Sequence, residues 1–112
     1  ERIGAESAFD DVDALLADDR VDVVHVVTPN DTHHALTVRV LDAGKHVVTE
    51  KPLATTVGEA IDLQARAKEA GTVATVPFVY RFHPMVREAR ARVASGQVGP
   101  LFSVQGAYLQ DW

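Results

Sequence analysis

Three short runs of β-branched residues, each set off by a stretch long enough for one helix, constrain this chain more than anything else in it. The runs are Val21 to Thr28, His46 to Glu50 and Thr72 to Val76. The first is nearly uninterrupted valine. Without period-two alternation, such a run suits a strand buried on both faces of a parallel sheet. Pro29 ends it, and Asp31 or Thr32 is placed to cap a helix reaching about Ala43. Leu36, Val40 and Ala43 share one stripe of that helix, with Val38 and Leu41 beside it. Before the third run, Thr56-Val57-Gly58-Glu59 forms a capping-box pattern, and Val57, Ala60, Ile61 and Gln64 mark the inward face of the helix it opens. Gly44 and Gly71 supply the left-handed residue after each helix. This alternation predicts right-handed βαβ units and an α/β fold with a parallel sheet.

The flanks are plainer. Glu1 to Ile3 reads as the last turn of a helix stopped by Gly4, followed by an extended piece from Glu6 to Phe9. Asp10 or Asp11 caps a helix carrying Val12, Leu15 and Leu16, which Arg20 closes. His25, inside the valine run, reads as a packed residue bonded to a neighbouring carbonyl rather than as a ligand. After Val76 the character changes. His83 can cap a helix with Pro84 at its first position, turning Val86, Ala89 and Val93 inward. Arg87, Arg90 and Arg92 are solvated, with Glu88 among them, and make no phosphate patch. Beyond Gly96 and Gly99-Pro100, Leu101 to Leu109 alternates in character, with Phe102, Val104 and Tyr108 on one face. It reads as the first strand of a second, antiparallel sheet. A lone strand is not stable, and its open edge and apolar face predict self-association.

Composition narrows the function classes. A chain of 112 residues buries one modest core. Its net charge of -5 argues against nucleic acid or an anionic membrane as partner. There is no cysteine, which rules out a disulfide or a thiolate metal site. The early acidic residues Asp10, Asp11, Asp13, Asp18, Asp19 and Asp22 read as a solvated face, and no metal site is expected. No apolar run approaches membrane-spanning length, and the first residues lack the plan of a signal peptide, so a cytoplasmic protein is expected.

The chemistry gathers at Val47-Val48-Thr49-Glu50-Lys51-Pro52-Leu53. In an open parallel sheet, ligands are met outside the carboxyl ends of the strands, and Lys51 sits at such an end. Pro52 has no N–H and a fixed φ, so the chain must turn there. Three further segments accompany it: Thr28-Pro29-Asn30-Asp31-Thr32-His33 upstream, Tyr80-Arg81-Phe82-His83-Pro84 downstream, and Gly106 to Trp112 at the close. Together, in this order and spacing, the four resemble the glucose-fructose oxidoreductase/inositol dehydrogenase (Gfo/Idh/MocA) family of NAD(P)-dependent oxidoreductases.

That resemblance implies a division into residues 1–82, part of a dinucleotide-binding Rossmann domain, and 83–112, a linker helix and the start of an α+β domain for substrate and oligomerisation. It implies NAD or NADP as cofactor, a sugar or polyol as substrate, and a homo-oligomer formed through the second sheet. Lys51 matches the family's catalytic lysine, which hydrogen-bonds the substrate oxygen. Thr28, Pro29, Asn30 and His33 match the loop that runs along the cofactor, although an Asx turn with a helix cap would use the same residues. Glu50 either touches the nicotinamide ribose or orients Lys51, and Trp112 matches a segment reaching back towards the nicotinamide. The family's general base, a histidine, would lie beyond Trp112. A cis Lys51–Pro52 bond is also expected from the resemblance. One departure stands out: many members carry a small or polar, asparagine-containing stretch before Tyr-Arg-Phe, where this chain has Pro77-Phe78-Val79.

A dinucleotide site needs a glycine-rich turn, so that the pyrophosphate can approach the backbone at a helix start. None of the seven glycines forms Gly-x-Gly-x-x-Gly. The chain therefore reads as an internal fragment of a longer oxidoreductase. The rival reading is a non-catalytic remnant serving as an oligomerisation or binding module.

Overall fold

The computed structural model describes residues 4–109, which divide into two compact units between Pro77 and Phe78. Glu1 to Ile3, expected as a helix end, and Trp112, expected near the nicotinamide, lie outside the described residues.

The first unit opens irregularly. Glu6 to Phe9 pairs with no strand. Helix α1 (Val12–Leu16) is capped by Asp11, whose carboxylate accepts from the Ala14 N–H at 3.2 Å. It stops at Ala17, short of Arg20. Arg20 instead folds onto Asp18, two residues back, with its Nη2 2.6 Å from the carboxylate. That contact holds the Asp18 carboxyl down at a pKa of about 2. The Lys45 ammonium then ties the turn to the next crossover by donating to the carbonyls of Asp18 and Val21, at 3.0 and 2.7 Å.

Three parallel strands follow in sequence order, β1 (Val23–Val26), β2 (His46–Thr49) and β3 (Ala74–Thr75). Val26 is paired with Thr49, and Val48 with Thr75. The crossovers are α2 (His33–Asp42) and α3 (Val57–Ala70). Thr56 and Glu59 make the reciprocal capping box that the sequence predicts, and Gly44 and Gly71 both take positive φ, +69° and +65°. The two helices pack on each other and cover one face of the sheet. Beneath them Val26, Val40, Leu41, Val47 and Leu63 form the core.

Two expectations about burial are corrected here. The valine run is covered on one face only: Val23, His25 and Val27 are exposed among the described residues. Side chains alternate across a strand, so these three share the face that α2 and α3, packed together on the other side, leave bare. The His25 side chain accordingly makes no hydrogen bond among the described residues, rather than the carbonyl contact expected of it. The inward face of α3 runs through Ala60, Leu63 and Ala67, whereas Val57, Ile61 and Gln64 are exposed. Ile61 lies about 200° round the helix from Leu63 at 3.6 residues per turn, so an isoleucine sits on the open side and small alanines meet the neighbouring helix.

In the second unit, a 3-10 turn (Val79–Phe82) leads to α4 (Pro84–Ala94), capped as expected by His83, whose Nδ1 accepts from the Met85 N–H at 3.3 Å. Val86, Ala89 and Val93 are exposed rather than inward. Residues 101–109 make no strand, and Phe102 is 95% exposed. An extended segment with no partner to complete its hydrogen bonds has nothing to hold it as a ladder. Tyr108 anchors it, with its hydroxyl 3.1 Å from that of Tyr80 and the rings edge to face.

Candidate functional site

Val26 and Thr49, register partners, end β1 and β2 side by side. The Glu50 N–H donates to the Val26 carbonyl at 2.9 Å, which carries the ladder one residue further. Beyond that point the two chains part. One leaves through Thr28-Pro29-Asn30 and the other through Glu50-Lys51-Pro52, so the residues expected to serve the site from these two loops emerge together at the carboxyl edge of the sheet. This is the edge where an open parallel sheet meets its ligands.

The first loop is held by threonine. Asn30–Thr32 forms a 3-10 turn ahead of α2, and the Thr32 hydroxyl donates to the Pro29 carbonyl at 2.7 Å. Its single proton is then spent, so at the 2.6 Å contact between the two hydroxyls Thr28 must be the donor and Thr32 the acceptor. Thr32 does occupy the cap position of α2, yet its side chain makes no capping bond. The Asn30 amide is exposed and makes no hydrogen bond among the described residues.

The second loop turns at a cis Lys51–Pro52 bond, as expected. Glu50, half-buried, folds its carboxylate back to accept from the Lys51 N–H at 3.0 Å. The Lys51 side chain is exposed, and its ammonium has no hydrogen bond or ion pair among the described residues. Of the two roles expected for Glu50, the one visible here is towards its neighbour's backbone.

His33 closes the first loop. It begins α2 and is only 1% exposed. Its Nε2 lies 2.9 Å from the Thr28 carbonyl oxygen and its Nδ1 2.7 Å from that of Pro52. Both ring nitrogens face backbone oxygens, one from each loop. Next to it, His34 Nε2 meets Asp62 of α3 at 2.8 Å, and Arg66 Nε meets the same carboxylate oxygen at 2.9 Å. The bond from His34, and then that from Arg66, holds the Asp62 carboxyl below its ordinary range.

A buried pair beneath the site went unseen in the sequence. Thr37 and Thr49 join α2 to the end of β2 through hydroxyls 2.7 Å apart. Their hydrophobic surroundings hide such a pair: only its position on the stripe of His33, Val40 and Leu41 could have marked Thr37 as inward. Among the described residues no group of three or more His, Asp or Glu side chains could hold a metal, and no helix is long and apolar enough to cross a membrane. What the site offers a ligand is an ammonium, a carboxamide and a shallow backbone rim at two adjacent strand ends.

Comparison with known proteins gives this arrangement its context. Residues 1–78 match the profile of the Gfo/Idh/MocA oxidoreductase family, described as an NAD-binding Rossmann fold. Levoglucosan dehydrogenase of Pseudarthrobacter phenanthrenivorans is 36% identical over 111 residues, covering 99% of this chain and 28% of that protein. D-xylose 1-dehydrogenase (NADP(+)) 2 of Haloferax volcanii is 36% identical over 104 residues, covering 93% and 32%. Among solved structures, an inositol dehydrogenase homolog from Azotobacter vinelandii, complexed with NADH and myo-inositol, superposes with a TM-score of 0.71 at 39% identity, over 78% of this chain and 23% of that one. The chain thus spans about a third or less of the length of the proteins it matches. By its family match and its three-stranded parallel sheet with two crossover helices, the chain belongs to the Gfo/Idh/MocA oxidoreductase family.

Proposed function

We propose that this chain forms the nicotinamide-side part of an NAD(P)-dependent oxidoreductase acting on an alcohol group of a sugar or polyol, with Lys51 as its catalytic residue. The observation that carries the reading is the exposed Lys51 ammonium, without a partner among the described residues, at the carboxyl end of β2 beside the Thr28–Asn30 loop at the end of β1. The donor set suits a dinucleotide's polar end. The Asn30 amide and the backbone of Thr28 and Pro29 would meet ribose hydroxyls or the carboxamide, and Glu50 would serve from beside Lys51. When bound, the nicotinamide accepts hydride from the carbinol carbon.

The chain's own contribution is electrostatic and positional. Lys51 donates a hydrogen bond to the alcohol oxygen and stabilises the negative charge that develops as the hydroxyl proton leaves. Such charge is best met by a compact donor already in place, and the turn at Pro52 limits how far Lys51 can drift. His33 is not placed to take the proton, being 1% exposed and enclosed between two backbone carbonyls. The exposed Phe102, Val104 and Tyr108 support self-association through the second unit.

Two measurements on the oxidoreductase that carries this chain test the reading. Nicotinamide absorbance is followed with NAD+ or NADP+ and a panel of levoglucosan, D-xylose and myo-inositol, and dinucleotide affinity is measured by calorimetric titration. Reduction of the cofactor by at least one such alcohol is expected. Dinucleotide binding without oxidation of any sugar or polyol would refute the substrate class, and no dinucleotide binding would refute the reading altogether.

A further inference from the structure

We propose that His33 is a positioning residue, which fixes the separation of the two strand-end loops and thereby where the Lys51 ammonium stands. The proposal rests on the reading that Lys51 acts on the substrate oxygen. An imidazole with 1% exposure is costly to bury unless its nitrogens find partners. Here the partners are not neighbours in sequence: the Thr28 carbonyl lies five residues back and the Pro52 carbonyl nineteen residues on, at 2.9 and 2.7 Å. One ring therefore spans the gap between the loop leaving β1 and the loop leaving β2. A neutral ring donates to one of these carbonyls, and a protonated ring donates to both.

The consequence for Lys51 follows from backbone geometry. Each residue has two soft dihedrals, φ and ψ. In Pro52 the ring fixes φ, and a carbonyl held by His33 fixes the peptide plane that ψ would otherwise turn. The residue after Lys51 then has no soft dihedral left, and the lysine's own backbone N–H is occupied by Glu50 at 3.0 Å. On the other side, the same ring packs against the Thr28 carbonyl, whose loop is proposed to carry the cofactor. A neutral ring thus bonds one loop and bears on the other, and a protonated ring bonds both. His33 thus couples the place of the reacting alcohol to the place of the cofactor, without touching either.

The test is a double-mutant cycle in the oxidoreductase that carries this chain. His33→Ala and His33→Gln are each made alone and together with Lys51→Ala, and kcat, KM for the alcohol and dinucleotide affinity are measured on folded protein. His33→Ala is expected to lower kcat about 10²-fold, the loss that a misplacement of about 1 Å brings, with a smaller change in KM. His33→Gln keeps a donor for one carbonyl and should recover part of that loss. With Lys51→Ala already present, the further loss of kcat from either change should be much smaller, since only the hold on the Thr28 loop is then lost. An unchanged kcat in His33→Ala, or an equal loss with and without Lys51, overturns the proposal while leaving the role of Lys51 intact. Full turnover in Lys51→Ala alone overturns both. If His33→Ala fails to fold, His33→Gln carries the cycle. In the unmutated protein a His33 ring N–H should exchange slowly with solvent by NMR, and exchange as fast as free imidazole would refute the bridge directly.

Discussion

Replacing Thr49 by valine probes the floor of the site with almost no change of shape. The substitution removes one hydroxyl from the Thr37–Thr49 pair and leaves Thr37, 2% exposed, without its partner. A cavity of about 230 Å³ lies against both residues, lined also by Leu41, Val47, Leu53 and Leu63. The methyl replaces a hydroxyl 2.7 Å from Thr37, so the two side chains must part slightly, and this hollow gives them room. A buried hydroxyl left unsatisfied costs about 1–3 kcal/mol. Thr37 can rotate to bond the carbonyl one turn earlier in α2, which puts the expected loss for Thr49→Val at the lower end, about 1–2 kcal/mol. Adding Thr37→Val removes the orphaned group, so the double variant should be the more stable of the two by about 1 kcal/mol. Urea unfolding followed by circular dichroism, with unchanged m values, reads both differences. If the second substitution instead lowers stability by the full cost of Thr37→Val alone, the two hydroxyls do not pair and the anchoring of α2 on β2 is misdescribed.

Other features of the fold make similar demands. Thr56→Ala removes the hydroxyl that accepts from the Glu59 N–H at 3.2 Å and should cost about 1 kcal/mol by the same urea titration, whereas Thr56→Ser should cost a few tenths. Asp62, with its folded pKa held below the usual 3.8, contributes stability that is present above that value and lost as pH falls through the lowered one. The stability gap between the unmutated protein and Asp62→Asn should therefore close on acidification, as followed by thermal unfolding across an acid series; a gap that widens towards low pH would contradict the pairing with His34 and Arg66.

How much of this was legible depended on whether a signal was local. The capping box at Thr56 and Glu59, the His83-Pro84 helix start and the left-handed glycines after α2 and α3 are each complete within a few residues, and each stands as read. The face of α3 was misread because its most hydrophobic residues, Val57 and Ile61, are not the ones that fit. From α3 it is Leu63 and Ala67 that reach the core, and packing of two helices is a property of neither sequence alone. The same limit applies to Leu101 to Leu109, whose alternation describes a strand that has no partner among the described residues. At the site, Lys51 and its turn announced themselves through proline chemistry. His33 is singled out by the sequence, but its contacts are not, because its partners are backbone carbonyls. Any residue can supply a carbonyl, so Pro52's share in holding His33 leaves no mark in the sequence.

Steady-state kinetics of Lys51→Ala, in an oxidoreductase that includes these residues, decides whether the Lys51 side chain acts on the reacting oxygen as proposed. Loss of a positioned acid–base group should lower kcat by about 10²–10⁴-fold, with dinucleotide affinity little changed. Lys51→Arg should recover only part of the rate, since a planar fork replaces a compact donor. Near-normal kcat in Lys51→Ala, with only the Michaelis constant for the alcohol raised, would make Lys51 a residue that binds substrate and contradict the role assigned to it.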